Sequence, residues 1–429
     1  MIPAPASRTR LGATAGVILE RQENIGRRVV ALAAAGSGVV TFREGLAMSM
    51  PERVLGSFRI TGAVVLAVLV TGMSAAPGAA AAGVSHTRVA AVSGSLAGVA
   101  ATSARNAWAV GHAGSAAHPR TLILRWQGRA WHKVSGTGLG ASGSLAGIAA
   151  TSARNAWAVG YAGSAAHPRT LILRWQGRAW HKVSGTGLGA SGSLAGIAAT
   201  SARNAWAVGN TGSAADSVGY GGKALILRWT GSAWHSVRCP RPGIGSVLYA
   251  VTAVSPSSAW AVGSYVTKAE PFGLPYIARW NGRTWKQVFF QFGFLSGVTA
   301  TSVRDAWAVG GTGGDGLDFP LIAHWNGSSW KQAHAPAPAS GGHFFGVAAT
   351  SPANAWAVGL TYGTSTHILI ARWTGHAWKR VRTSGRTGGA LMGIAATSVT
   401  NAWAVGYTGT SSSPSTLLLH WNGSSWRAG

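Results

Sequence analysis

Residues 106–131 read Asn-Ala-Trp-Ala-Val-Gly-His-Ala-Gly-Ser-Ala-Ala-His-Pro-Arg-Thr-Leu-Ile-Leu-Arg-Trp-Gln-Gly-Arg-Ala-Trp. The opening Ala-Trp-Ala-Val-Gly string occurs seven times in the chain, centred on Trp108, Trp157, Trp206, Trp260, Trp307, Trp356 and Trp403, at spacings of 49, 49, 54, 47, 49 and 47. Each copy is followed by a second tryptophan (Trp126, Trp175, Trp229, Trp280, Trp325, Trp373, Trp421). A third comes five residues later (Trp131, Trp180, Trp234, Trp285, Trp330, Trp378, Trp426), and the three sets account for all 21 tryptophans. A period of this length means a repeat architecture whose units bury their apolar faces against one another.

Within the first unit four short runs are bounded by Gly, Pro, Ser and Asn: Leu96–Thr102, Ala107–Gly111, Thr121–Trp126 and Ala130–Val134. They are too short for helices and alternate as strands do. Four strands per unit of about 49 residues, repeated seven times, predict an all-β, seven-bladed β-propeller over residues 95–429. The small residues of the first run suit the innermost strand, where blades crowd the axis. In the second run Trp108 and Val110 share one face and Ala107 and Ala109 the other, so a bulky face can meet the small face of the next blade. Asn326-Gly327 is a favoured hairpin turn between the third and fourth strands. The chain ends in the outer strand of blade seven, so ring closure is expected to rest on packing of blades one and seven, with Arg88–Val92 supplementing that last outer strand.

Ahead of the repeats, residues 1–47 carry no usable period and read as a mis-annotated extension, with the natural start at Met48 or Met50. Residues 48–82 read as an export signal: Arg53 and Arg59, an apolar run from Ile60 to Val70, then small residues to Ala82. The run is shorter than a membrane span, and an uncleaved anchor is the alternative. Residues 83–94 form a short linker. The expected location is therefore secreted or envelope-associated in a bacterium, with no transmembrane segment in the mature chain.

The chain resembles secreted bacterial propellers with Trp-Ala-Val-Gly repeats, and more distantly the Asp-box propellers of sialidase-like and photosystem-assembly-factor-like type. The Asp-box turn, Ser-x-Asp-x-Gly-x-Thr-Trp, is matched at 278–285 only in its Gly282-Arg283-Thr284-Trp285 end, with Ala278 and Trp280 at the Ser and Asp positions. The resemblance implies the fold and little about activity. Sialidase chemistry needs carboxylates and a tyrosine nucleophile, yet from residue 83 onward only Asp216, Glu270, Asp305, Asp315 and Asp318 are acidic. Asp305 occupies a turn position that is Asn106, Asn155 or Asn354 elsewhere. Repeats 94–142 and 143–191 differ only at Val99/Ile148 and His112/Tyr161, a recent duplication that a fixed multi-blade catalytic site would not easily survive.

Two sets of residues are binding candidates. One is the position before the second tryptophan: Arg125, Arg174, Arg228, Arg279, His324, Arg372 and His420. This ring can bind anions, or stack on neighbouring tryptophans and cap carbonyls, the reading that strict repetition favours. The other is the loops Asn210–Lys223, Ser264–Tyr276 and Gly311–Pro320, with Tyr220, Glu270, Asp315 and Asp318. The 28 Lys and Arg from residue 83 onward, against five acids, attract polyanions.

No metal or catalytic set has suitable spacing, and no cofactor is implied. Gly311–Gly316 fits G-x-G-x-x-G but leads into Leu317-Asp318-Phe319-Pro320 rather than a helix, so no dinucleotide site is expected. Cys239, the single cysteine, reads as a loop thiol without a partner. The expected function is a monomeric, non-enzymatic binding or scaffold propeller contacting an anionic cell-wall polymer, a polysaccharide or a protein, with no specific nucleic acid partner. A glycan-active hydrolase or lyase is the first alternative, which a cluster of His, Tyr and carboxylate on one rim would favour. An assembly or stability factor is the second.

Overall fold

The computed structural model describes residues 92–429 apart from 135–141, 165, 184–190, 213–221, 272, 314–317, 384–387 and 411–412. The signal segment, Tyr220 and Asp315 therefore lie outside the described residues. Seven four-stranded antiparallel sheets follow one another, each made of consecutive strands in chain order. They are the blades of a β-propeller. Blade one comprises Gly94–Ser103, Asn106–Ala113, Arg120–Trp126 and Trp131–Lys133, and blade seven ends with Trp426–Ala428. Among the described residues no helix is long and apolar enough to cross a membrane.

Each core cluster straddles a blade seam. Trp108, Val110 and Ile123 of blade one pack on Ala156, Ala158, Leu171, Leu173, Trp175 and Trp180 of blade two. The bulky face of one second strand meets the alanine face of the next, as the alternation requires. Trp108 approaches Trp175 at 4.9 Å between ring centres and Trp180 at 5.2 Å, the latter edge-to-face at 84°. An aromatic side chain of this kind buries about 150–250 Å², on the order of 4–6 kcal/mol of gross transfer free energy before entropy is charged against it. The third-strand indoles are also anchored: the Trp126 N–H donates to Ala104 O at 2.9 Å and that of Trp175 to Ala153 O at 3.1 Å.

The inner strands crowd the axis. A side chain at Gly98 would stand 3.0 Å from Ala146 O, and one at Gly393 would stand 2.8 Å from Ala97 O, so blades seven and one approach as the others do. The ring closes by packing: Trp403, Val405 and Leu418 of blade seven share a core with Leu96, Val99, Ala107 and Ala109 of blade one. The described end of the expected supplement lies where it was expected. Gly429 N donates to Leu418 O at 3.0 Å, and further along the same outer edge of blade seven's third strand Thr416 N donates to Val92 O at 3.0 Å and Ser93 bridges Ser415. Val92 and Ser93 thus continue the row begun by Trp426–Ala428, and residues 88–91 lie outside the described residues.

Every inner strand carries a β-bulge at the same place. In blade one Leu96 pairs with Gly111 and Gly98 with Val110, which skips Ala97. The skipped residues elsewhere are Ala146, Ala195, Tyr249, Ser296, Phe345 and Met392. A bulge re-aims its side chain out of the sheet's alternation. Seven variable side chains are thereby set out near the axis.

Candidate functional site

The basic ring lies between tryptophans. The Arg174 guanidinium carbon is 4.7 Å from the ring centre of Trp157 in its own blade and 5.2 Å from that of Trp229 in the next. Arg125, Arg228, Arg279 and Arg372 repeat the arrangement at 4.7–5.5 Å. Arg174 also donates to Asn155 Oδ1 at 3.4 Å and to Ala202 O of the following blade at 3.2 Å. Partial burial lowers the pKa of Arg125 and Arg174. His324 and His420 lie flat on Trp307 and Trp403 at 4.1 Å. His420 Nε2 meets Asn401 Oδ1 and His324 Nε2 meets Asp305 Oδ1, each at 2.8 Å. Burial alone would raise Asp305, but hydrogen bonds from His324 and Thr301 and the nearby imidazole charge hold it below the usual carboxylate value.

A second set of cations is free. In a four-stranded meander the first-to-second and third-to-fourth turns emerge at the same end of every blade. Arg105, Arg154, Arg203 and Arg304 occupy the first kind of turn, Arg129, Arg178 and Arg283 the second, and all seven are exposed. The two turns lie together, since a side chain at Gly128 would stand 3.5 Å from Arg105 Cγ. Blades six and seven carry Ala353, His376, Thr400 and Ser424 instead, so the arginines form an arc over blades one to five. Among the described residues the only ion pairs are His324–Asp305 and His343–Asp318. No arginine of the arc has an ion-pair partner among the described residues.

On this turn face a groove of about 500 Å³ runs along blades four and five, lined by Ser257, Ser258, Arg279, Trp280, Asn281, Lys286, Gln287, Val288 and Val303. Blade four has Ser258 where five blades have asparagine and blade five has Asp305, and the buried Ser258 Oγ has no hydrogen-bond partner. The substitution removes the amide oxygen that Arg174 uses in blade two, leaving the Arg279 guanidinium with its stacking contacts at 5.0 and 5.2 Å. Arg279 and Lys286 in one groove, beside unsatisfied hydroxyl capacity, can receive a carboxylate, sulfate or phosphate group.

At the opposite, loop end, Glu270 is exposed in a turn whose N–H bonds Thr267 Oγ1 at 2.9 Å. Asp318 is engaged. Its Oδ1 accepts Gly313 N–H at 2.9 Å, and its Oδ2 meets Nδ1 of His343, from the inner strand of blade six, at 2.7 Å. The other ring nitrogen, Nε2, lies 2.8 Å from Oγ of Ser296, the bulge residue of blade five. Burial, then the charge of and a hydrogen bond with Asp318, push the Tyr362 phenol above its usual pKa. His343, Ser296 and Tyr362 escape sequence reading because they come from two inner strands and a loop of two blades. The one available signal is His343 standing in line with Ser95, Ser144 and Ser193.

Cys239 is a free thiol in a loop, as expected; its Sγ lies 3.3 Å from Ala224 O, and burial raises its pKa. The loop folds back against the seam of blades three and four, where the thiol finds a carbonyl and an apolar wall.

No family profile matches the chain, and no curated protein is similar to it in sequence. Solved structures are similar in fold. A GH74 xyloglucanase from Xanthomonas campestris superposes with a TM-score of 0.53 at 16% identity, covering 79% of this chain and 53% of that one. The present chain thus spans about half of that enzyme. A PL25 ulvan lyase, solved with a GlcA–Rha3S oligosaccharide, gives 0.52 at 10% identity over 79% and 96% of the two chains. YCF48 from Cyanidioschyzon merolae gives 0.41 at 15% identity over 66% and 84%. Identities this low establish the propeller fold alone.

Proposed function

We propose that the protein is a secreted binding propeller of the bacterial envelope that holds anionic glycans on its turn face. The observation that carries this reading is the arc of seven exposed arginines with no ion-pair partner among the described residues. Cations without an ion-pair partner concentrate polyanions. The groove with Arg279 and Lys286 supplies a place where one acidic group is held rather than merely attracted. The test is binding of the purified protein to isolated cell wall and to soluble acidic polysaccharides across a salt series. Saturable binding to one polymer that persists near roughly 0.15 M salt supports the reading. Replacing Arg129 and Arg178 by serine, the residue of blades three and five at this position, should weaken binding and flatten its salt dependence. Equal capture of every polyanion, lost together as salt rises, would overturn it.

A glycan-active enzyme is favoured by one observation, the meeting of His343, Tyr362 and Asp318 at the loop end. Glycoside hydrolysis uses two carboxyl groups flanking the bond. Asp318 is the one carboxylate that the described contacts bring to this cluster. Binding therefore stands as the reading.

A further inference from the structure

The cluster at the seam of blades five and six supports a different chemistry. Ser296 Oγ, His343 and Asp318 form a continuous chain, 2.8 Å from Oγ to Nε2 and 2.7 Å from Nδ1 to Oδ2. A carboxylate on Nδ1 fixes the tautomer in which Nε2 is the free base facing the hydroxyl. This order of hydroxyl, imidazole and carboxylate is defined by geometry and role, and it recurs on unrelated folds.

The repeats show that blade packing does not require it. At the bulge position of Ser296 other blades have Ala97, Ala146, Ala195 or bulkier residues. At the position of His343 blades one to three have Ser95, Ser144 and Ser193, and blades four, five and seven have Val247, Phe294 and Ala390. Asp318 is set in place by close backbone. A Cβ on Gly311 would stand 2.2 Å from both carboxylate oxygens, and Gly342 N donates to Asp318 O at 2.7 Å. The Phe345 ring covers His343 at 4.7 Å between ring centres. Ser296 and His343 both retain partial exposure.

We infer that Ser296, His343 and Asp318 constitute a nucleophilic acyl-transfer site that takes carboxylic esters. Ser296 Oγ attacks the acyl carbonyl carbon while its proton passes to His343 Nε2. The bond from that carbon to the alkoxy oxygen breaks, and Nε2 returns the proton to the departing oxygen. Water, deprotonated by the same nitrogen, then attacks the acyl-serine and releases the acid, restoring the hydroxyl. Asp318 remains ionised and stabilises the imidazolium formed in each half. The ladder skips Ser296, so its main-chain N–H lies outside regular pairing, beside the attacking oxygen.

This inference is independent of polymer binding, which uses the opposite end of the blades. The test treats the full-length protein with a fluorophosphonate probe and with p-nitrophenyl acetate. The expected result is one adduct per chain, mapped to Ser296, together with a burst of nitrophenol. Ser296→Ala should abolish both, and His343→Ser should slow labelling by about 10²–10⁴-fold. Both changes install residues that other blades carry at those positions, so circular dichroism and melting should be retained. A folded wild-type protein that is not labelled at Ser296, or a His343→Ser variant labelled at the wild-type rate, would overturn the inference. Polymer binding measured on the same variants should be unchanged.

Discussion

The guanidinium of Arg174 stands 5.2 Å from the ring centre of Trp229, a residue of the following blade, while it also stacks on Trp157 of its own. One cation thus serves both sides of a seam. It needs no carboxylate, in a chain that has few. A planar guanidinium presents two π-faces to two rings, which a lysine ammonium cannot do.

Arg174→Lys should therefore lower stability by about 1 kcal/mol although the charge is kept. Arg174→Ala should cost more, because two amide and carbonyl acceptors also lose their donor. Chemical denaturation of both variants measures this, and equal stability of the lysine variant and wild type would contradict the stacking argument.

Trp157 is fully buried and touches Trp229 at 4.9 Å and Trp234 at 5.3 Å across the seam. Trp157→Ala should destabilise by about 3–5 kcal/mol, the range for a large aromatic removed from a packed core. Trp126 is only partly buried. Its replacement by alanine should cost less, so thermal melts of the two variants should rank in that order.

Gly311→Ala places a methyl group where the Asp318 carboxylate lies. The carboxylate must move away from His343 Nδ1. The expected result is loss of the downfield imidazole proton resonance of a carboxylate-bonded histidine, with the melting temperature changed less than by a core substitution. An unchanged resonance would show that the loop absorbs the methyl group without moving Asp318.

Burial lowers the pKa of His112 and His420 from the ordinary value of 6.5. A folded pKa below the unfolded one means that the neutral rings' contribution is complete above about pH 6.5 and is lost as pH falls through the folded values. Asp305 has the same sign in a lower window, beginning below its ordinary value of 3.8. The melting temperature should fall between about pH 7.5 and 5. His112→Tyr, which installs the Tyr161 residue of the duplicated blade, should reduce that slope. A melting temperature independent of pH across this range would refute the assignment.

Much of the architecture was determined by the sequence itself. Three tryptophans at fixed offsets, alternation of Trp108 and Val110 with Ala107 and Ala109, and turn residues between short runs specify strands, blades, their number and the face each presents. Those signals are local and recur seven times. The stacking role of the arginine ring was foreseeable for the same reason, since a side chain repeated with its tryptophan reports packing. Tertiary structure alone decided the rest. The arc of free arginines depends on which turns emerge at one end of a meander. The groove depends on Ser258 failing to supply an acceptor to Arg279. Ser296, Asp318 and His343 lie 22 and 25 residues apart along the chain and meet because a bulge, a loop and the next blade's inner strand converge. A periodic sequence specifies what every blade shares, whereas the Ser296–His343–Asp318 contact arises where one blade departs from the others and a neighbour's departure faces it.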